Sequence, residues 1–179
     1  GRMENYMVAF NKLKIKKLEK EFKTISFNEQ EFKVYQYLPI QDKLALASDI
    51  SNLVLGETRF NNPGKVDVYF KLGVLDYYTD IDLNEKQKEN PTDTYDKLVY
   101  SGLYNAIISA IPANELDFTY NLVCDSVESL SKYAGSIYAI MEAMSKDYDN
   151  LDLDIKKLTD EISNKENIQY LDKVMDKMG

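Results

Sequence analysis

The sequence predicts an α-dominated α+β fold: an N-terminal β-hairpin packed on a bundle of four to six helices, with a C-terminal helical extension. Three observations predict it. Residues 22–37 contain two short runs of period-2 alternation around a polar turn. From Pro39 onward, apolar residues recur at helical spacing in one segment after another. In the last of these before residue 145, Val123, Val127, Leu130, Ala134, Ile137, Met141 and Met144 step 4, 3, 4, 3, 4, 3, a strict heptad seam. At 44% apolar and 29% charged residues, a chain of 179 residues can build a core and stay in solution. The expected division is a hairpin-plus-bundle domain over 1–146 and an amphipathic helical extension over 147–179.

The elements follow in order. Residues 4–20 fit either a helix or a further strand. The run Phe22 to Phe27 reads as the first strand. Glu31 to Tyr37 reads as the second, with Phe32 and Val34 on one parity and Tyr35 and Tyr37 on the other. A lone hairpin is marginal in water, so it must pack on helices or pair with another strand. Pro39 favours a helix start; Leu44, Ala47, Ile50 and Val54 then fall at helical spacing, and Gly56 marks a stop. The cluster Asn61-Asn62-Pro63-Gly64 reads as loop. Residues 65–79 form a helix that is apolar almost all round, the mark of a central element.

Residues 80–91 read as a polar linker. Asp80, Asp82 and Asn84 resemble the start of a calcium loop, but the sixth position is Glu85 instead of Gly and the twelfth is Pro91 instead of Glu. Residues 92–111 are helical, divided at Ser101-Gly102 and ended by Pro112. The heptad seam comes next and demands a partner helix, either inside the domain or on another chain. Its core set, with the other helices, is Leu44, Ile50, Phe70, Val74, Leu98, Ile107, Val127, Leu130, Ile137 and Met141. In the extension, Ile155, Leu158 and Ile162 make one narrow stripe, and Ile168, Leu171, Met175 and Met178 make a second. A thin apolar stripe ending in Met suits a partner-binding helix. Ile155, Leu158, Ile162, Ile168, Leu171 and Met175 are therefore the candidate partner-binding residues.

Composition excludes much chemistry. The chain has no His, which removes the commonest general base and metal ligand together. Cys124 is the only cysteine, so no internal disulfide can form, and its apolar helical context reads as a buried, inert thiol. The seven glycines are scattered, and none forms a phosphate-binding loop. Asp147, Asp149, Asp152 and Asp154 are dense enough to gather a hard cation, but acids at a helix start read more simply as a solvated N-terminus. No catalytic, cofactor or metal residue is assigned, and the expectation is that the chain is not an enzyme.

The net charge is −8, which disfavours sequence-independent nucleic-acid binding. It is unevenly spread: residues 1–23 carry seven basic side chains against three acidic ones. The run Lys12 to Lys17 could touch RNA or an anionic membrane, or be a solvated element with a few apolar anchors. No apolar stretch approaches the roughly 20 residues a membrane span requires, so the expected setting is cytoplasmic.

Three stretches carry a resemblance. Gln36-Tyr37-Leu38-Pro39-Ile40 follows the hairpin and precedes Lys43-Leu44. Asp67-Val68-Tyr69-Phe70 is followed by Tyr77-Tyr78-Thr79-Asp80-Ile81. Ser101-Gly102-Leu103-Tyr104 leads into Ala110-Ile111-Pro112. Their order resembles small morphogenesis proteins of tailed phages that infect Gram-positive bacteria, tail assembly chaperones in particular, over residues 22 to about 145. These are packing and turn residues, and the family carries no catalytic signature to transfer. The resemblance implies a role in host-cell cytoplasm, with no cofactor, binding a helical phage structural protein such as the tape measure, and homo-oligomers are compatible with it. Two other roles fit the composition: an acidic inhibitor of a host nucleic-acid enzyme (a DNA mimic), or a structural component of the virion.

Overall fold

The computed structural model describes residues 7–56 and 62–144. Among them the fold is α-dominated α+β: an N-terminal two-stranded antiparallel hairpin and six α-helices. Strands β1 (Phe22–Phe27) and β2 (Gln30–Tyr35) pair from Phe22 opposite Tyr35 to Phe27 opposite Gln30. Only Asn28 and Glu29 remain to turn the chain, and both have positive φ, 48° and 66°. Such a two-residue turn matches the right-handed twist of the strands. Tyr37 therefore lies beyond β2, which ends two residues earlier than the alternation implied.

The hairpin is anchored by both means available to it. Val34, on its inner face, is fully buried, with Ile25 and Phe32 beside it against the core. Val34 also forms an antiparallel bridge with Thr79, and the Lys33 N–H donates to Asp80 Oδ1 at 2.7 Å. Before β1, residues 7–21 contain one 3-10 turn, Phe10–Leu13, and no other regular structure. Neither the helix nor the strand expected over 4–20 forms in the described part. Alternating Lys and apolar residues offer neither a helical stripe nor a paired edge.

Helix α1 (Ile40–Leu55) begins directly after Pro39, and α2 is Pro63–Tyr78. The latter starts inside the Asn-Asn-Pro-Gly cluster read as loop. Asn62 Oδ1 accepts from the N–H groups of Gly64 and Lys65 at 3.0 and 3.4 Å, and Pro63, which lacks an N–H, costs nothing in the first turn. A short helix α3 (Glu85–Glu89) interrupts the expected linker. Asn84 and Gln87 cap it reciprocally, each side chain accepting the other's backbone N–H at 2.9 Å. Helices α4 (Pro91–Tyr100) and α5 (Leu103–Ser109) are divided where Gly102 takes a φ of 83°. Helix α6 (Ala113–Met144) begins ten residues before the seam and runs 32 residues, about 48 Å at 1.5 Å per residue.

Side-chain pairs fix the helix directions. Lys43 meets Glu115 and Ser51 meets Ser126, so α1 and α6 run parallel. Phe70 stacks edge-on with Tyr120 while Tyr78 reaches Glu115, so α2 runs the other way. Gly73 lets α1 and α2 close up: a Cβ there would stand 2.6 Å from Leu46 Cδ1. Of the expected core, Leu44, Ile50, Phe70, Val74, Leu98, Ile107, Val127 and Leu130 are buried. Ile137 and Met141 are only half-buried, because α6 by then has outrun the body. Cys124 is likewise half-buried, less enclosed than its apolar context implied.

Candidate functional site

Three places in the fold present chemistry beyond packing. The first is interior. Lys43 Nζ lies 2.5 Å from Glu115 Oε1, with both side chains almost wholly buried. The ring of Tyr37 covers the ammonium at 3.9 Å, and that of Phe118 lies at 5.2 Å. The Tyr78 hydroxyl sits 2.7 Å from Thr119 Oγ1 and 3.4 Å from Glu115 Oε1. Burial, reinforced by the Glu115 carboxylate and partly offset by Thr119, pushes the Tyr78 phenol above its ordinary value. Glu115 Oε2 is buried and accepts no hydrogen bond among the described residues. The group is enclosed by carboxylate and ring faces. Its work is to join α1, α2 and α6 in one register. Sequence reading missed it, since Lys43 and Glu115 are 72 positions apart and each resembles a surface charge; the only hint is that both fall on otherwise apolar helix faces.

The second place is a groove of about 550 Å³ on the face of α1 and α2 turned away from α6, closed on one side by the α3–α4 elbow. Leu46, Ile50, Leu53 and Leu72 make it apolar, and its charged lining is Asp49, Asp76 and Lys88. Tyr77 donates to Asp49 Oδ2 at 2.5 Å; burial and then that carboxylate push its phenol upward, so it remains a neutral donor. A cavity of this size lies in the range that holds a few side chains or a small ligand.

The third place is the end of α6. Its seam is buried through Val123, Val127, Leu130 and Ala134, half-buried at Ile137 and Met141, and then exposed. Ile140 and Met144 are 57% and 82% exposed, and Tyr133 is 49% exposed. From Gly135 onward no residue of the helix is fully buried. About 15 Å of helix thus projects with its apolar register intact. The partner-binding candidates Ile155, Leu158, Ile162, Ile168, Leu171 and Met175 lie outside the described residues, as do the boundary at 146/147 and the acidic group Asp147 to Asp154.

A polar group of Lys71, Asp67 and Tyr95 joins α2 to α4. Lys71 Nζ donates to both Asp67 oxygens, at 2.7 and 2.9 Å, and the Tyr95 hydroxyl donates to Asp67 Oδ2 at 2.6 Å. Partial burial works to raise the Asp67 carboxyl, but these donors outweigh it and hold the group below its ordinary value. Tyr104, against Lys71, is pushed by burial up to about 12. Asp80 and Asn84 are committed to the Lys33 N–H and the α3 cap, and among the described residues no three acidic or thiol side chains gather to hold a metal ion. No described helix is long and apolar enough to cross a membrane. Neither a protein-family model, nor a curated protein, nor a solved structure matches the chain.

Proposed function

We propose that the chain is a non-enzymatic assembly factor that binds a helical protein partner through the projecting end of α6 and the residues that follow it. The observation that carries this reading is the continuation of one heptad seam from full burial at Val127 and Leu130, through half-burial at Ile137 and Met141, to open exposure at Met144, with Ile140 exposed beside it. A seam of this spacing gains its stability only when another helix fills it. The body covers the seam as far as Ala134, α1 lying alongside its buried part, and beyond that no described helix fills the remaining positions. The phage reading, in which the partner is a long helical structural protein such as the tape measure, follows from the resemblance over residues 22 to about 145.

Affinity capture of the full chain from cells expressing its neighbouring genes, with the bound proteins identified by mass spectrometry, tests this. Recovery of a long helical phage protein that is lost on deleting residues 147–179 supports it. Recovery of a host nuclease or polymerase would instead favour the inhibitor reading. Charge placement weighs against that alternative: Asp67–Lys71, Asp93–Lys97 and Glu128–Lys132 pair at i,i+4, so acids and lysines alternate along these helices instead of forming one acidic face.

A further inference from the structure

The arm that precedes the hairpin has the opposite character to the rest of the molecule. Every residue from Met7 to Thr24 is exposed, including Phe10 at 77%, Leu13, Ile15 and Leu18. Residues 7–18 carry Lys12, Lys14, Lys16 and Lys17 and no acidic side chain. Large apolar side chains left half or more exposed along one segment mark an interaction surface. Its root is fixed: the Gln36 N–H donates to the Glu21 carbonyl at 3.0 Å, and Lys20 lies over the Tyr35 ring at 5.3 Å. The arm therefore leaves the body at a defined point, beside the hairpin.

The groove on α1 and α2 has the complementary chemistry. Its floor is largely aliphatic, and its charged lining is two exposed carboxylates, Asp49 and Asp76, against one lysine, Lys88, so the balance is acidic. Along α1 the floor runs from Leu46 to Leu53, about 10 Å at the helical rise, which matches three to four residues of extended chain. It is too short for a long helix and the right length for a stretch such as Leu13 to Ile15 with its flanking lysines. Lysine stems lie along apolar surface while their ammonium groups reach outward, which here places them over Asp49 and Asp76.

We infer that the arm of one copy, residues 7–18, docks in the acid-rimmed groove between α1 and α2 of a second copy. Leu13 and Ile15 supply the apolar anchors, and Lys12, Lys14 and Lys16 meet the rim. Arm and groove are different surfaces, so the contact is heterologous: exchanged reciprocally it closes a dimer, and propagated it builds a ring or an open chain. The inference stands apart from the α6 surface and does not depend on it.

Two single-cysteine variants of the full chain test it, built on Cys124→Ser: Ile15→Cys in the arm and Leu53→Cys at the groove. Both positions are exposed, so neither change disturbs the core. Mixed and mildly oxidised, the pair should give a disulfide-linked dimer well above the level formed by either variant alone, and high salt should slow its formation. Sedimentation velocity of the unmodified chain should show mass rising with concentration, with Leu13→Asp/Ile15→Asp remaining monomeric and Asp76→Lys shifted toward monomer. A mixed pair that cross-links no faster than the separate variants would overturn the inference. So would a chain carrying both cysteines that closes on itself as a monomer while the mixed pair stays unlinked, since the arm would then serve its own groove.

Discussion

At the scale of single residues, the interior ion pair governs stability. Taking two charges out of water costs several kcal/mol per ion, returned only while each has its partner. Lys43→Met therefore leaves Glu115 buried and unpaired, and is expected to lower stability by about 3–5 kcal/mol. Lys43→Met/Glu115→Leu removes both charges, keeps the Tyr78–Thr119 contact, and should recover most of that loss. Urea denaturation of the two variants checks this; equal losses in both would show that the pair contributes no coupling. The phenols give a second prediction. Tyr77, Tyr78 and Tyr104 are all pushed above the ordinary value of 10, Tyr104 to about 12. Raised folded-state values mean stability that is fully present below pH 10 and lost as pH climbs through the folded values. Absorbance titration at alkaline pH should show these three phenols ionising only well above pH 10, together with unfolding.

At the scale of elements, boundaries record local chemistry. Gly102 holds the α4–α5 break at a φ of 83°, where a Cβ meets no neighbour yet strains the backbone. Gly102→Ala should cost about 1–2 kcal/mol through that strain alone, read as a lower thermal midpoint with unchanged far-ultraviolet dichroism. What the sequence made legible here was periodicity: both strands, the four longer helices and the break at Ser101-Gly102 follow from spacing. What it hid was capping. Asn62-Pro63 and Asn84 with Gln87 begin helices from residues that read as loop, because Asn serves turns and helix caps by the same side-chain hydrogen bond. The seam was legible as a seam, but spacing carries no information on where the supporting body ends. For that reason Ile137 and Met141 fell outside the core to which their register assigned them. Glu115 and Lys43 were invisible for a related reason: burial of a charge depends on a partner from a distant helix.

At the scale of the whole molecule, three surfaces of different chemistry are held by one core: a basic apolar arm, an acid-rimmed groove, and a helix end with an open seam. Their separation implies that they can be impaired independently of folding. Ile140 and Met144 are exposed, so Ile140→Asp/Met144→Asp should change stability by no more than about 0.5 kcal/mol. The same change places two carboxylates on an apolar helix contact and should abolish it. The measurement that tests the account most directly is quantitative affinity capture with the unmodified chain and with Ile140→Asp/Met144→Asp side by side, after matched thermal midpoints confirm that both are folded. The account predicts one helix-rich protein bound by the first and absent from the second. Equal recovery of that protein by both would contradict it and move the partner site away from α6.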